Sequence, residues 1–304
     1  MPIKNFNLIV RKKISFFNKE INVDSDKSLS IRSFLIGSIC QNISTANNIL
    51  ESDDVKSTIE VCRKLGVKII KIKPQTYKIY GKGLGSLHIK KNTEINFGNS
   101  GTLARLLIGM LSTNPNICIK IKGDHSLNKR NMRKLIDLMS EFGASFLPKQ
   151  KNTFPLKMIS SELPVGIKFK SGVSAQLKSA VILAGLNSYG NTEIEEQVTS
   201  RNHTENLLMN SKQSIKIKKN KKKIIEIVGK QYLNPININV GGDPSSAAFF
   251  TALTLMNHNS SLKIKNVGLN PTRTGFYDIL KKQKVNLKFI NLKKKIMKYV
   301  GISL

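Results

Sequence analysis

One pattern constrains the fold more than any other feature of this sequence: small hydroxyl or amide residues stand directly before an apolar helix, and this happens four times. The helix starts contain Ser28, Ser100, Ser174 and Ser245, which lie about 72 residues apart. Self-similarity at a fixed period indicates a repeated structural unit. Because Ser, Asp and Asn cap helices in any α/β protein, a chance recurrence is the competing interpretation.

The segments between these helix starts define the rest of the unit. Second helices are predicted to end at Leu65-Gly66, Phe142-Gly143 and Gln283-Lys284, and strands are predicted over Ile117–Ile121 and Ile224–Val228. The order corresponds to a βαβαββ unit. The sequence therefore predicts an α/β protein in which helices pack inside the sheets or against them.

Length and composition favour an ordinary globular protein of about two domains. The chain has 304 residues, of which 40% are hydrophobic and 23% charged. Neither a signal-peptide core in Met1–Lys13 nor an apolar stretch of about 20 residues is present in the sequence. We therefore expect a cytoplasmic location, which agrees with three cysteines in apolar contexts (Cys40, Cys62 and Cys118).

The net charge of +31 raises nucleic acid or an anionic membrane as a partner. The excess, however, is mostly Lys spread along the whole chain, and Ile and Asn are also abundant, as a bias in base composition would produce. The densest cluster, Lys216–Lys223, has no interleaved aromatic residues on which bases could stack. We expect no nucleic-acid partner and no membrane partner; retention on DNA that falls steeply with salt would contradict the former.

Metal and nucleotide sites are not indicated by the sequence. The four histidines are scattered without ligand spacing. Neither a GxGxxG motif after a strand nor a GxxxxGK[ST] motif occurs. We therefore expect no metal and no cofactor.

The helix starts are instead suited to binding anions, because their free N–H groups and the helix dipole attract negative charge. The segment 99–102 is the clearest candidate, since Gly98 and Gly101 let an anion approach the backbone. Lys27 and Arg32 add positive charge at the first helix start. Several such termini facing one cleft would form a site for phosphates and carboxylates.

Three further cations, Lys129, Arg130 and Arg133, are predicted to lie in the first turns of a helix. Cations are unfavourable there because of the helix dipole. We expect a bound anion to compensate, since arginine binds phosphate and carboxylate bidentately. A solvated surface is the alternative for these cations, less so for Arg130.

Seven ordered motifs then resemble a known family, over about 90% of the chain. They are DKSLSIRS from Asp26, NFGNSGTLARLL from Asn96, GDHSLNKRNM from Gly123, SAQLKSAVILAGL from Ser174, SRNHTENLL from Ser200, GGDPSSAAFF from Gly241 and NPTRTG from Asn270. In order and spacing they resemble the 5-enolpyruvylshikimate-3-phosphate (EPSP) synthase family, more closely the bacterial class with SAQ and RDHTE motifs. The sibling family that acts on UDP-N-acetylglucosamine lacks the DKS start.

The resemblance implies a two-lobed enolpyruvyl transferase fold of repeated βαβαββ units, an inside-out α/β barrel. Residues 26–241 would form one complete lobe of three units, and residues 1–25 with 242–304 an incomplete lobe. It also implies a transferase that moves the enolpyruvyl group of phosphoenolpyruvate to the 5-hydroxyl of shikimate 3-phosphate and releases phosphate. This is a step of the shikimate pathway to chorismate and the aromatic amino acids. A cytoplasmic monomer is expected.

Site residues follow from the resemblance, position by position. Lys27 is expected to contact phosphoenolpyruvate and to serve in proton transfer. The phosphoenolpyruvate set is Lys27, Asn99, Gly101, Arg130 and Gln176. The shikimate 3-phosphate set is Ser28, Arg32, Ser174, Ala175, Gln176 and Arg201. The structural alternatives are that Ser28 and Ser174 only cap helices and that Arg201 pairs with Glu205 one turn on.

Two positions depart from the family pattern. Asn131 stands where proline usually follows the arginine, and Asn202 replaces the aspartate of RDHTE, which would weaken the orientation of Arg201. Gly101 matches the glycine beside which phosphoenolpyruvate and its mimic glyphosate bind. Glyphosate sensitivity is therefore expected if the site is complete.

The number of repeated units does not decide whether this chain is catalytically active. Six units would need about 430 residues, and this chain has room for about four. By the resemblance, the remaining units would carry the catalytic Asp and Glu and half of the phosphoenolpyruvate site. Because the tail from Asn291 departs from the family at a Lys run, Lys293–Lys295, we expect a truncated or frameshifted product. The alternative function is a non-catalytic fragment that at most binds an anionic substrate.

Overall fold

The computed structural model describes residues 9, 11, 14–219, 222–293 and 299–303. Most of the Met1–Lys13 segment and of the Lys293–Lys295 tract lies outside the described residues, so the expectations attached to them stay predictions. The same holds for the middle of the Lys216–Lys223 cluster.

The described residues alternate between strands and helices. The strands are β1 (Asn18–Asn22), β2 (Ile43–Asn47), β3 (Lys68–Lys73), β4 (Thr76–Tyr80), β5 (Glu94–Asn96), β6 (Cys118–Lys122), β7 (Ser145–Leu147), β8 (Leu156–Ile159), β9 (Lys168–Ser171), β10 (Asn191–Glu196), β11 (Ile215–Lys219), β12 (Lys223–Val228), β13 (Asn237–Asn239), β14 (Ser261–Gly268), β15 (Lys288–Lys293) and β16 (Tyr299–Ser303). The helices are α1 (Lys27–Ile39), α2 (Asp53–Lys64), α3 (Gly101–Ser112), α4 (His125–Asn128), α5 (Arg133–Glu141), α6 (Ala175–Leu186), α7 (His203–Leu208), α8 (Pro244–Leu255) and α9 (Gly275–Lys282).

The strands form sheets of one common design. The sheet orders in the described residues are β13-β2-β4-β3, β5-β6-β8-β7, β9-β10-β12-β11 and β1-β14-β16-β15. In each sheet the first two strands are parallel and the others are antiparallel. A first helix joins the parallel strands of β5/β6 and of β9/β10, and a second helical segment precedes the antiparallel pair. The predicted α/β fold of repeated βαβαββ units is confirmed.

Two of the units exchange their first strands. Strand β1 precedes α1 in the chain but pairs with β14, whereas β13 precedes α8 but pairs with β2. The chain therefore passes from the β1-β14-β16-β15 sheet to the three other sheets at 23–26, and it returns at 240–243. Backbone hydrogen bonds join the two passages, from Asp26 N to Gly241 O and from Asp243 N to Asp24 O, both 2.8 Å. The division into two lobes, 26–241 against 1–25 with 242–304, stays a prediction.

The first helix of each unit begins with a side-chain cap, as its sequence requires. Ser100 Oγ and Ser174 Oγ accept hydrogen bonds from backbone N–H groups three residues on, both at 3.3 Å. At the other two helices the cap is an aspartate: Asp26 accepts from Leu29 N, and Asp243 accepts from Ser245 N. The alternative that Ser28 caps a helix is wrong, because Ser28 lies inside α1.

The second helices end where predicted, but one begins elsewhere. Gly66 and Gly143 follow α2 and α5 with φ of 84° and 93°, a left-handed conformation that suits glycine at a helix end. The segment after Gly123 forms two helices, α4 and α5, rather than one. Lys129 is the C-cap of α4, where a cation is favourable, so the dipole argument was wrong for Lys129 and Arg130. Arg133 alone of these cations begins a helix, and it pairs with Asp137.

The first helices of three units pack against one another inside their sheets. Helices α3 and α6 come so close that a Cβ on Gly109 would lie 2.5 Å from the carbonyl oxygen of Ala180. Helix α1 is buried along almost its whole length and belongs to the same hydrophobic cluster. A second, smaller cluster lies around α8, β14 and α9 and includes Tyr277. None of the described helices is both long and apolar enough to cross a membrane.

Candidate functional site

The starts of α1, α3 and α6 face one cavity of about 420 Å³. Its lining side chains come from three units of the fold, because α1, α3 and α6 all begin beside this cavity. The lining residues are Lys27, Asp54, Asn99, Gly101, Thr102, Arg105, Arg130 and Gln176. The structure thus brings the five residues predicted for phosphoenolpyruvate to a single cavity.

Gly101 lies between two guanidinium groups at the cavity. A Cβ built on Gly101 would lie 2.8 Å from Nη1 of Arg105 and 2.8 Å from Nη1 of Arg130. Arg105 Nη1 donates to the carbonyl oxygen of Gly101 at 3.1 Å, and Arg130 Nη2 donates to Asn99 Oδ1 at 2.7 Å. Any side chain at position 101 would therefore occupy the space between the two cations.

Two more contacts hold the walls of the cavity. Lys27 Nζ lies 2.9 Å from Asp54 Oδ2, which joins α1 to the first turn of α2. Gln176 Nε2 donates to Thr102 Oγ1 at 2.9 Å and so joins the starts of α6 and α3. Half of the Lys27 side chain remains exposed, which leaves its ammonium group accessible from the cavity.

The cavity carries an excess of positive charge. Lys27, Arg105 and Arg130 are cationic, and Asp54 is the anionic residue of the lining. Burial lowers the pKa of Arg105, and the nearby Arg130 lowers it further. Two guanidinium groups held near each other gain most from an anion between them, because it removes their mutual repulsion and accepts charge-assisted hydrogen bonds.

The residues predicted for shikimate 3-phosphate occupy a neighbouring region rather than one pocket. Ser174 lines a second cavity of about 420 Å³, whose walls also include Arg105 and Arg133. Ala175 is the half-buried first residue of α6, between Ser174 and Gln176. Gln176 lines the first cavity, so the start of α6 borders both.

Arg32 is buried at 2% exposure and held by hydroxyl groups. Its Nε donates to Thr204 Oγ1 at 2.9 Å, its Nη2 to Ser179 Oγ at 3.2 Å, and its Nη1 to Ser28 Oγ at 2.5 Å. Burial lowers its pKa to about 10, which leaves it charged at neutral pH. Ser28 and Arg32 are thus in direct contact with each other.

Arg201 is exposed beside another arginine. Burial of part of its side chain lowers its pKa, and the nearby Arg273 lowers it further. The alternative that Arg201 pairs with Glu205 is wrong, because Glu205 is buried against Lys178, 2.7 Å away. Asn202, at the unusual position, accepts from Asn270 Nδ2 at 2.7 Å.

Sequence reasoning missed three residues of the cavity: Asp54, Thr102 and Arg105. Arg105 had a detectable signal, since it lies four residues after Gly101 and therefore on the same helix face. Thr102 was within the selected segment but received no role. Asp54 comes from the second helix of the first unit, and nothing in its sequence surroundings indicates that this helix begins beside Lys27.

The geometry bears on metal binding as well. In the part of the chain that the structure describes, no three His, Cys, Asp or Glu side chains gather into a group that could hold a metal ion. The expected absence of a metal or a cofactor stays a prediction.

Fold and site together define a class of protein: repeated α/β units whose helix starts and cations converge on one cationic cavity. Residues 11–297 match the family model described as EPSP synthase (3-phosphoshikimate 1-carboxyvinyltransferase). The chain belongs to the EPSP synthase family, and the resemblance noted from its motifs is confirmed.

Individual relatives agree with this family. The 3-phosphoshikimate 1-carboxyvinyltransferase of Novosphingobium aromaticivorans is 38% identical over 264 residues, covering 86% of this chain and 59% of the relative. That of Bacillus subtilis is 39% identical over 271 residues, covering 89% and 62%. The solved EPSP synthase of Acinetobacter baumannii superposes with a TM-score of 0.84 at 33% identity, covering 95% of this chain and 64% of that one. The chain thus spans about three fifths of the length of these relatives.

Proposed function

We propose that this chain binds phosphoenolpyruvate and shikimate 3-phosphate and acts as a 3-phosphoshikimate 1-carboxyvinyltransferase. In that reaction the 5-hydroxyl group of shikimate 3-phosphate loses its proton as its oxygen bonds to C2 of phosphoenolpyruvate, while C3 gains a proton. C3 then loses a proton and phosphate leaves from C2. The observation that carries the proposal is the convergence of Lys27, Arg130 and Gln176 on one cationic cavity.

Phosphoenolpyruvate would lie over Gly101, between Arg105 and Arg130. The space there is bounded by two guanidinium groups and the N-terminus of α3, which together favour a phosphate dianion. Asn99 would orient Arg130 through their 2.7 Å hydrogen bond. Lys27, with Asp54 as its partner, would stand at the edge of the site and exchange a proton with the reacting carbon.

Shikimate 3-phosphate would lie along the start of α6. Ser174 and Ala175 would contact its phosphate through the helix N-terminus, and Gln176 would lie between the two substrates. Ser28, Arg32 and Arg201 would contact the hydroxyl groups, carboxylate and ring. Their positions around α1 and α7 support a ligand that spans the two helices.

We also propose that the two chain passages at 23–26 and 240–243 separate two lobes that close on the substrates. Separate hydrophobic clusters on the two sides support this division. Hydrogen bonds between the passages give a short two-stranded connection that could act as a hinge. The protein is proposed to be a monomer that needs no metal and binds no nucleic acid.

Calorimetric titration of the chain with shikimate 3-phosphate and then with phosphoenolpyruvate tests the binding proposal. We expect Arg130→Met to weaken phosphoenolpyruvate binding about tenfold or more, because a charge-assisted contact to phosphate is lost. Lys120→Met, at an exposed lysine of β6 that lines neither cavity, is the matched control. Equal affinity in the wild type and in Arg130→Met would contradict the assignment.

A phosphate-release assay with both substrates separates catalysis from binding. Turnover would support the transferase, whereas binding without turnover would support the alternative of an anion-binding fragment. Gly101→Ala adds a methyl group where phosphoenolpyruvate and glyphosate would lie. It should weaken the binding of both, and an unchanged competition between them in the variant would argue against the site.

A further inference from the structure

A charged side chain is completely buried directly behind the start of α6. Lys178, two residues after Gln176, has no exposed surface, and its Nζ lies 2.6 Å from Glu196 Oε1 and 2.7 Å from Glu205 Oε1. Burying a charge is unfavourable unless it is paired, and apolar residues of similar size commonly give equal or better stability. Stability alone therefore does not account for this ionic cluster, which points to a role in positioning its neighbours.

The cluster joins three separate elements. Lys178 belongs to α6, Glu196 is the last residue of β10, and Glu205 lies in α7. Between the two glutamates runs the short segment 197–202, which carries Arg201. One lysine thus fixes both ends of the segment that presents Arg201.

Glu196 also binds this segment directly through hydrogen bonds. Its Oε1 accepts from Ser200 N at 3.0 Å and from Ser200 Oγ at 3.2 Å, and its Oε2 pairs with Lys223. Burial alone would raise the pKa of Glu196, but hydrogen bonds from Lys178 and Lys223 outweigh it and lower the pKa to about 2. Glu196 is therefore ionised at neutral pH and remains a strong acceptor for the residue next to Arg201.

A parallel hydroxyl network links the same helices to Arg32. Thr204, the neighbour of Glu205, donates to Ser179 Oγ at 2.8 Å, and Ser179 is the neighbour of Lys178. Arg32 donates to both hydroxyl oxygens. A change in the distance between α6 and α7 would therefore move Arg32 as well as Arg201.

We propose that Lys178 is a positioning residue for shikimate 3-phosphate: it clamps Glu196 and Glu205 and thereby sets where Arg201 and Arg32 meet the ligand. This inference rests on the proposed function of the site. Lys178 itself does not touch the substrate. Phosphoenolpyruvate, over Gly101 and Arg130, would share only Gln176 with α6, so its affinity should depend much less on the clamp.

The test is the double variant Lys178→Met with Glu205→Gln, which removes the buried cation and one buried anion together. Glu196 keeps Lys223 as its partner. We expect the dissociation constant for shikimate 3-phosphate to rise about tenfold or more, since small displacements of binding groups have large effects. The affinity for phosphoenolpyruvate should change less than about twofold, a selectivity that a general folding defect would not produce.

Lys218→Met is the matched control, because it removes an exposed Lys–Glu pair, with Glu226 at 2.9 Å, from a neighbouring strand. It should leave both affinities unchanged. Should the double variant fail to fold, Glu196→Gln keeps Lys178 paired with Glu205 and should show the same selective loss. Equal loss of both affinities, or no loss of shikimate 3-phosphate affinity, would overturn the proposal.

Hydrogen exchange separates this inference from the proposed function. In the double variant the amide of Ser200 should exchange faster, while the amides of α3 keep their protection. If the wild type bound no shikimate 3-phosphate, the proposed function would fall, and the Ser200 amide would still test the clamp. Unchanged protection of that amide would refute it.

Discussion

Helices α6 and α8 occupy corresponding places in two βαβαββ units, yet their surroundings differ. Both are apolar around most of their circumference. Helix α6 is buried continuously from Lys178 to Leu186 against α3 and the sheet of β9–β12. On α8 the side chain of Phe249 is 80% exposed, and Met256, directly after the helix, is 76% exposed.

The difference shows that the first helix of a unit depends on its neighbours. A helix that is hydrophobic on all sides is suited to burial on all sides. Three units supply this environment to α1, α3 and α6, whereas α8 is covered on one side by its own sheet, through residues such as Ala247 and Thr251. An apolar surface of this kind is typical of a place where another polypeptide packs.

The largest expected effect compares matched phenylalanines in the two environments. Phe34, with no exposed surface, stacks edge-on against Tyr77 in α1's core, so Phe34→Ala should lower the free energy of unfolding by about 3–5 kcal/mol. Phe249→Ala on α8 should change it by less than about 0.5 kcal/mol. Chemical denaturation measures both.

A large loss of unfolding free energy in Phe249→Ala would show that the exposed face of α8 is buried in solution. The two helices would then not differ in their surroundings. Sedimentation of the wild type would then identify whether a second copy covers this face. A small loss in Phe34→Ala would instead show that the three-unit core is loosely packed.

The second prediction concerns the connection between the two regions. Arg273 is 5% exposed and contacts the caps of both α1 and α8, with Nη1 3.0 Å from Asp26 and Nη2 2.7 Å from Asp243. Arg273→Met leaves two carboxylates without their partner and should cost about 3 kcal/mol in thermal or chemical unfolding. Arg133→Met, which removes an exposed pair with Asp137, should cost less than about 0.5 kcal/mol.

If Arg273 joins the two regions, its replacement should loosen their connection without loosening the core. Hydrogen exchange in Arg273→Met should increase at the backbone bonds between 24–26 and 241–243, with the core of α3 and α6 unaffected. Uniform loss of protection throughout the molecule would contradict a local role.

The sequence was sufficient to predict the repeated unit and five of the eight residues that line the cavity. Periodic spacing and local caps are properties of short segments, so Ser100, Ser174 and the ends of α2 and α5 followed from them directly. The strand exchange between β1 and β13 does not, because pairing of distant strands has no local signal. The same reason explains why Asp54 was missed as the partner of Lys27, and why the clamp around Lys178 emerges only from the packing of three elements.

The smallest expected effect is a difference in acid sensitivity between variants of two glutamates, whose pKa values are both about 2. Glu20, in the β1–β14 sheet, is lowered by hydrogen bonds from Lys263 and Lys265 on an exposed surface, whereas Glu196 is lowered inside the three-unit region against its own burial. A pKa lowered by folding contributes stability above the unfolded value near 4.5, and that contribution is lost as pH falls toward 2. Solvent screens the exposed pairs of Glu20 and weakens their contribution, so Glu196→Gln should reduce the acid sensitivity of unfolding in this window more than Glu20→Gln does.

High salt should increase the difference between the two glutamates, because exposed ion pairs are screened strongly and buried ones much less. In 1 M salt, at a Debye length of about 3 Å, carboxylate NMR titration should show the pKa of Glu20 moving back toward its ordinary value. The pKa of Glu196 should stay low, because its partners lie at hydrogen-bonding distance within the protein. If both values rose together, water would reach the Lys178 cluster, and the distinction between a buried three-unit region and an open single unit would no longer hold.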